Sequence, residues 1–188
     1  MTVNPSDRRM QQKIISFPGN IHVISNDRDL LSLDLSAVKE FGFDTETKPS
    51  FRKGDVFKVA LLQLSTEQDA YLIRLHHVTQ FQVLKSVLEN REVVKVGVAI
   101  RDDIKVLQRT FSFIPQGFVE LQDLAKHKGL KNFGLKGMTD EVLQAMLSKQ
   151  FKMTNWEARE LSPQQQLYAA TDAWVGLAIY RTLMGLRD

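Results

Sequence analysis

Cysteine is absent from this chain of 188 residues, which excludes disulfides, thiolate metal sites and cysteine nucleophiles. Any bound metal ion must therefore be held by oxygen or imidazole ligands. Apolar runs are short as well: none approaches the roughly 20 residues needed to cross a bilayer, and residues 1–20 lack the apolar core of a signal peptide. From these absences we expect a cytoplasmic protein.

The residues that are present suit a globular protein, since 43% are hydrophobic and 25% are charged, enough for a full core. Internal repeats, low-complexity tracts and a Pro- or Gly-rich linker are missing, so we expect one domain over residues 1–188. The net charge of +3 permits a nucleic-acid partner without requiring one.

Strand and helix patterns alternate along the chain, which becomes helical toward its end. The segment 118–129 begins extended and turns helical. The last helix is the best marked, because Ser162 and Gln165 fit a capping box and Pro163 takes the first helical position. Together the patterns predict an α/β three-layer domain with a mixed sheet. The predicted strands are 21–25, 40–46, 57–65, 69–75 and 93–100, and the predicted helices are 79–90, 103–110, 138–147 and 163–183.

The segment FGFDTE places two carboxylates at the end of a predicted strand. Side chains alternate along a strand, so Asp44 and Glu46 share one face. Their mutual repulsion is tolerable at a solvated strand end, and it is useful where a divalent cation collects both groups. The pair alone does not decide between these interpretations.

A third carboxylate lies on the last predicted helix, where Tyr168 and Asp172 are one turn apart on an apolar stripe. An aspartate on an inward-facing stripe needs a partner, either a basic side chain or a metal ion. Two further aspartates follow the predicted strand 93–100. Asp102 suits the N-cap of the next helix, which leaves Asp103 in its first turn.

Four carboxylates and one phenol are a suitable set for two hard cations such as Mg²⁺ or Mn²⁺. Two such ions, roughly 3.5–4 Å apart, clamp the attacking and leaving oxygens of a phosphodiester. A tyrosine hydroxyl beside the scissile phosphate could orient the attacking water, but it is too weak an acid to be an ordinary general base near neutral pH.

Three segments, in this order and separation, resemble the exonuclease motifs of the ribonuclease D-like, DEDD-type 3′–5′ exonucleases: FDTE, VGVAIRDDIKVL and YAATDAWVGLAIYRTL. Tyr168, four residues before Asp172, matches the tyrosine subgroup, whereas the histidine subgroup carries histidine at the position of Leu167. FVELQDLA and ALLQLST also resemble segments of the Werner-syndrome helicase exonuclease domain and its stand-alone bacterial relatives. The likeness covers about residues 20–185.

This resemblance implies an RNase H-like fold and a two-metal exonuclease that releases nucleoside 5′-monophosphates from a 3′ end. It implies that Asp44 bridges two divalent cations, Mg²⁺ or Mn²⁺, while Glu46 and Asp172 hold the ion that activates water. Asp103 would support the second ion and Tyr168 would position the nucleophile. The motif spacing from Gly97 favours Asp103 over Asp102.

The expected partner is single-stranded or 3′-ended nucleic acid. The sequence does not decide between DNA and RNA. A binding module without turnover and a structural protein are the alternative functions. No C-terminal helical RNA-binding domain is expected, since the chain ends shortly after the last motif.

Trp156 suits the core or the substrate groove, and the histidines show no ligand spacing. Three cations follow Glu46 and suit either solvated loop charges or contacts with backbone phosphates, namely Lys48, Arg52 and Lys53.

Overall fold

A computed structural model describes residues 13–47, 58–148 and 154–186 of the protein. In these residues eight strands are present: β1 (Ile14–Ile15), β2 (Asn20–Ile24), β3 (Glu40–Thr47), β4 (Val59–Ser65), β5 (Asp69–Arg74), β6 (Val94–Gly97), β7 (Phe118–Glu120) and β8 (Met146–Leu147). The helices are α1 (Asp27–Leu31), α2 (Gln82–Leu88), α3 (Ile100–Leu107), α4 (Leu121–His127), α5 (Leu135–Leu143) and α6 (Pro163–Met184), with a 3₁₀ turn at Leu75–His77.

Six of the strands form one mixed sheet in the spatial order β2-β5-β4-β3-β6-β7. The three central strands β3, β4 and β5 form an antiparallel meander. The outer strands β2, β6 and β7 run parallel to their neighbours. The predicted α/β fold with a mixed sheet is confirmed, and the parallel pair of β1 and β8 lies outside this sheet.

Two predicted helix starts are wrong. The helix expected from residue 103 begins at Ile100, because Ala99 adopts a left-handed conformation (φ 61°) that ends the extended chain after Gly97. The helix expected over 138–147 is α5, which begins after Gly134 and ends before Gln144, another left-handed residue (φ 52°). The chain then becomes β8 rather than continuing as a helix.

Alternation along β3 divides the core between two faces of the sheet. Phe41 and Phe43 lie on one face, in a buried cluster with Leu84 of α2 and Ile100 of α3. Gly42, two residues from Asp44, faces α6. The strand therefore presents its carboxylates on the face that this helix covers.

The long helix α6 closes that face and is held at both ends. The predicted capping box of Ser162 and Gln165 is present at its N-terminus. Near its C-terminus Arg181 bonds to Glu40, at 2.9 Å, and to Glu67, at 3.0 Å. No helix in the described parts of the chain is long and apolar enough to span a bilayer.

Candidate metal centre and active site

The first two carboxylates of the site come from β3. Asp44 lies opposite Gln63 and Glu46 lies opposite Leu61 on the antiparallel neighbour β4, so both carboxylates share one face as predicted. The register of the pairing shifts between Glu46 and Thr47. Such irregularities bend a strand locally and redirect its side chains.

The third carboxylate, Asp172, comes from α6. Close approach of helix and strand depends on Gly42, where a Cβ atom would lie 1.9 Å from the carbonyl oxygen of Ala173. Asp44, Glu46 and Asp172 each offer an oxygen within 4.8 Å of the other two, and all three residues are half-buried. The structure thus brings together three of the four predicted carboxylates.

Electrostatic repulsion in this cluster acts most strongly on Asp44. Its pKa is raised well above the usual value by burial and then by the charges of Asp172, Glu46 and Asp103. An amide hydrogen bond of 2.9 Å from Thr45 opposes this effect. A divalent cation would relieve the repulsion, and three clustered carboxylates are hard oxygen ligands, so these residues fit such an ion.

The fourth predicted carboxylate, Asp103, stands apart from the other three. It extends from the first turn of α3 and accepts a hydrogen bond of 2.9 Å from the hydroxyl of Thr45. Burial raises its pKa to about 6, although the Thr45 bond lowers it. Asp103 lies beside β3, so its charge acts on Asp44, but its carboxylate is not part of the cluster.

Asp102 does not have its predicted role as an N-cap, since Ala99 occupies that position. The Asp102 side chain is 87% exposed and pairs with Lys105 at 2.9 Å. Of the two adjacent aspartates, Asp103 therefore faces the site and Asp102 faces solvent.

Glu120 organises the turn before α3 and was not predicted from the sequence. Its carboxylate accepts hydrogen bonds from the backbone amides of Ala99, at 2.8 Å, and Ile100, at 2.9 Å. It thereby caps α3 from β7, about twenty positions later along the chain. A glutamate at the end of a strand is no signal for this contact, because nothing local indicates where its partner lies.

Tyr168 lies one turn before Asp172 on α6 and bonds to that carboxylate. Burial and the Asp172 charge raise the pKa of the phenol, so the hydroxyl stays protonated and available as a donor. The centroid of its ring lies 6.2 Å from the centroid of the Trp156 ring. Trp156 is only 1% exposed, which assigns it to the core beneath Tyr168 rather than to the groove.

Three cavities border the cluster. One of about 160 Å³ adjoins Asp44 and Asp172, with Gly97 and Leu135 in its walls. A larger one of about 590 Å³ is lined by Lys136, Leu147, Tyr168 and Asp172 among others. A third of about 280 Å³ is mainly apolar and shares Leu147, Tyr168 and Asp172 with the second. Asp172 thus lines all three cavities, and Tyr168 lines two of them.

The remaining predictions concern residues away from this centre. Lys48, Arg52 and Lys53 lie outside the described residues. His22 pairs with Asp69 at 2.8 Å, which accounts for it without a catalytic role.

A mixed sheet with carboxylates on a central strand, and a covering helix that adds a tyrosine and an aspartate, is the architecture of a metal-dependent nuclease domain. Comparison with known proteins bears this out. The profile of a family described as 3′-5′ exonuclease matches residues 22–186. The chain belongs to this 3′–5′ exonuclease family.

Similar proteins include longer chains with related names. The chain is 37% identical over 186 residues to the mouse bifunctional 3′-5′ exonuclease/ATP-dependent helicase WRN, covering 93% of this chain and 13% of that protein. It is 34% identical over 161 residues to a 3′-5′ exonuclease of Arabidopsis thaliana, covering 82% and 56%. The crystal structure of Escherichia coli RNase D superposes with a TM-score of 0.80 at 29% identity, covering 89% and 45%. The chain thus spans less than two thirds of each.

Proposed function

We propose that this protein hydrolyses phosphodiester bonds from the 3′ end of nucleic acid and releases nucleoside 5′-monophosphates, with two divalent cations, Mg²⁺ or Mn²⁺. The observation that carries the proposal is the cluster of Asp44, Glu46 and Asp172 within 4.8 Å, in a chain of the 3′–5′ exonuclease family. Hard oxygen ligands at this spacing suit such ions.

Each carboxylate has a distinct part in this proposal. Asp44 lies among the other three charges, so it would take part in holding both ions. Glu46 and Asp172 would help to hold one ion, and Asp103 would support the second. When bound, the pair of ions stabilises the attacking and leaving oxygens of the phosphodiester.

Tyr168 orients the attacking water in this proposal. Its raised pKa excludes it as a general base near neutral pH, because the phenol does not give up its proton there. A protonated hydroxyl bonded to Asp172 can instead hold a water by hydrogen bonding. Orientation of this kind lowers the barrier without any change in the protonation of the tyrosine.

The substrate strand lies along the two cavities that Tyr168 and Asp172 line. The apolar side chain of Leu147 and the ring of Tyr168, which line both cavities, suit bases of any sequence. Among the described residues that line the three cavities, Lys136 is the one cation, and we assign it a contact with a substrate phosphate. DNA and RNA are both compatible with this arrangement.

The test is digestion of matched DNA and RNA strands, single-stranded and with a recessed 3′ end, labelled at the 5′ terminus. We expect a ladder of progressively shorter products and free nucleoside 5′-monophosphates with Mg²⁺ or Mn²⁺, and none with excess EDTA. Asp44→Asn should be inactive, while Asp102→Asn, which alters an exposed aspartate, should behave as wild type.

Two results would contradict the proposal. Robust hydrolysis in EDTA would exclude the metal-dependent chemistry. Binding of the strands without cleavage under all metal conditions would instead favour the alternative of a nucleic-acid binding module.

A further inference from the structure

Gln63 on β4 is a buried polar residue whose side chain has no apparent structural role. It is fully buried, and among the described residues neither its amide nitrogen nor its amide oxygen has a hydrogen-bond partner. An unpartnered amide inside a protein lowers stability, and buried polar side chains nearly always have partners. The residue therefore calls for an explanation beyond packing.

The position of Gln63 is directly opposite Asp44 in the antiparallel pairing of β3 and β4. Residues paired in this way project to the same face with their Cβ atoms about 4.5–5.5 Å apart. The amide of Gln63 is therefore the neighbour of the carboxylate that lies at the centre of the acidic cluster.

The surroundings argue against a purely structural role. Leu61, two residues earlier on the same face, is fully buried and apolar. Ser65, two residues later, donates a hydrogen bond of 3.4 Å to the carbonyl of Ala170 in α6. One neighbour fills space and the other ties the strand to the helix, but Gln63 has a polar group that does neither.

We propose that Gln63 is a positioning residue for Asp44, and that its amide N–H donates to the Asp44 carboxylate when that carboxylate binds a divalent cation. The amide of Thr45 already donates to one oxygen of Asp44, at 2.9 Å. A second donor from β4 fixes the plane of the carboxylate between the two strands. Hydrogen bonds of this kind orient metal-binding side chains and raise metal affinity. The inference rests on the proposed function.

The test separates metal binding from folding. Gln63→Met keeps the side-chain volume close to that of glutamine and removes both polar atoms. Without metal, we expect its melting temperature to equal or exceed that of the wild type, since two unpartnered groups are removed. Its affinity for Mn²⁺ alone, measured by titration calorimetry without nucleic acid, should fall about 10–100-fold. The turnover number should fall while KM for the strand stays unchanged.

Leu61→Met is the matched control, because it changes a buried residue on the same face of the same strand, opposite Glu46. It should leave the Mn²⁺ affinity unchanged. Gln63→Asn is the second variant: it keeps an amide but withdraws it by one methylene, so Mn²⁺ binding should also weaken. A stable Gln63→Met protein with wild-type Mn²⁺ affinity would overturn the inference, as would a loss of stability in both Gln63 variants without a change in Mn²⁺ affinity.

Failure of the proposed function looks different in the same experiment. If the wild type itself does not bind Mn²⁺, or binds it equally after Asp44→Asn, the cluster is not a metal centre and both proposals fall. If the wild type binds Mn²⁺ and digests strands but Gln63→Met matches it, only the role of Gln63 is wrong.

Discussion

Tyr168 combines two separable contacts in one side chain. Its ring packs 6.2 Å from Trp156, while its hydroxyl bonds to Asp172. Replacing it with phenylalanine keeps the first contact and removes the second. We expect Tyr168→Phe to lower the single-turnover rate of nucleoside monophosphate release by about 10²–10⁴-fold, because a misplacement of about 1 Å in a reacting group already costs about 10²-fold.

Two controls accompany this rate measurement. The melting temperature of Tyr168→Phe should stay close to that of the wild type, since the core contact is kept. Saturating Mg²⁺ offsets weaker metal binding caused by the loss of the hydrogen bond to Asp172. Turnover near the wild-type rate at saturating Mg²⁺ would mean that Tyr168 only packs against its neighbours.

The adjacent aspartates of α3 provide a matched pair at the same scale. Asp103 is held by Thr45 beside the strand that carries Asp44, whereas Asp102 pairs with Lys105 in solvent. We expect Asp103→Asn to reduce turnover at least 10²-fold and Asp102→Asn to leave it within about twofold, because an exposed pair contributes little. Steady-state digestion of one labelled strand by both variants measures the difference. The reverse pattern would show that the assignment between the two aspartates is wrong.

At the scale of elements, the site depends on the contact of α6 with β3. A Cβ atom at Gly42 would lie 1.9 Å from a helix carbonyl, so Gly42→Ala must push the helix away from the strand. We expect a loss of about 1–3 kcal/mol or more in the free energy of unfolding. The same displacement separates Asp172 from Asp44, so Mn²⁺ affinity should fall as well.

Gly134→Ala is the comparison for this substitution, because no atom lies within 4 Å of a Cβ placed there. Urea unfolding and Mn²⁺ titration of both variants test the idea. An unchanged unfolding midpoint for Gly42→Ala would show that helix and strand can separate at no cost.

Local signals were sufficient to predict some elements and not others. The start of α6 was predicted because Ser162, Pro163 and Gln165 lie within one turn of each other. The start of α3 was not, because it depends on a left-handed alanine and on Glu120 from another strand. The N-cap of α5 is Gly134, which has no side chain that could cap the helix, so the sequence there contains no capping signal.

The candidate site shows the same division. Alternation alone placed Asp44 and Glu46 on one face, and helical spacing placed Tyr168 beside Asp172. Their meeting across two elements was predicted from the ligands that two hard cations require and from the family resemblance, not from either pattern. Gln63 was not predicted at all, because an unpartnered amide becomes evident only when strand and helix are packed together.

At the scale of the whole molecule, the negative charge of the candidate site contrasts with the positive net charge of the chain. The chain carries a formal charge of +3, yet three carboxylates cluster at one strand and the charge of a fourth, Asp103, acts on them. Without a cation this arrangement destabilises the fold, since burial and repulsion disfavour the ionised forms. The three buried hydrophobic clusters contain no metal ligand, so we expect the metal-free protein to fold with reduced stability.

The pH dependence of that cost has a definite sign. The pKa of Asp103 is raised from 3.8 to about 6 in the folded protein, and that of Asp44 is also raised well above its usual value. The folded state therefore holds these protons more tightly than the unfolded state, so their contribution favours folding at low pH and is lost as pH rises through about 6.

Asp103→Asn removes this effect for one group. Without metal, the variant should melt a few degrees above the wild type at pH 7.5, and the difference should shrink at pH 5. Added Mg²⁺ should raise the wild-type melting temperature more at pH 7.5 than at pH 5, because the ion competes with protons for the carboxylates. Thermal melts at both pH values, with Mg²⁺ and with EDTA, measure all these differences. Equal melting temperatures for both proteins at both pH values would mean that the Asp103 carboxylate is not under electrostatic strain in the folded protein.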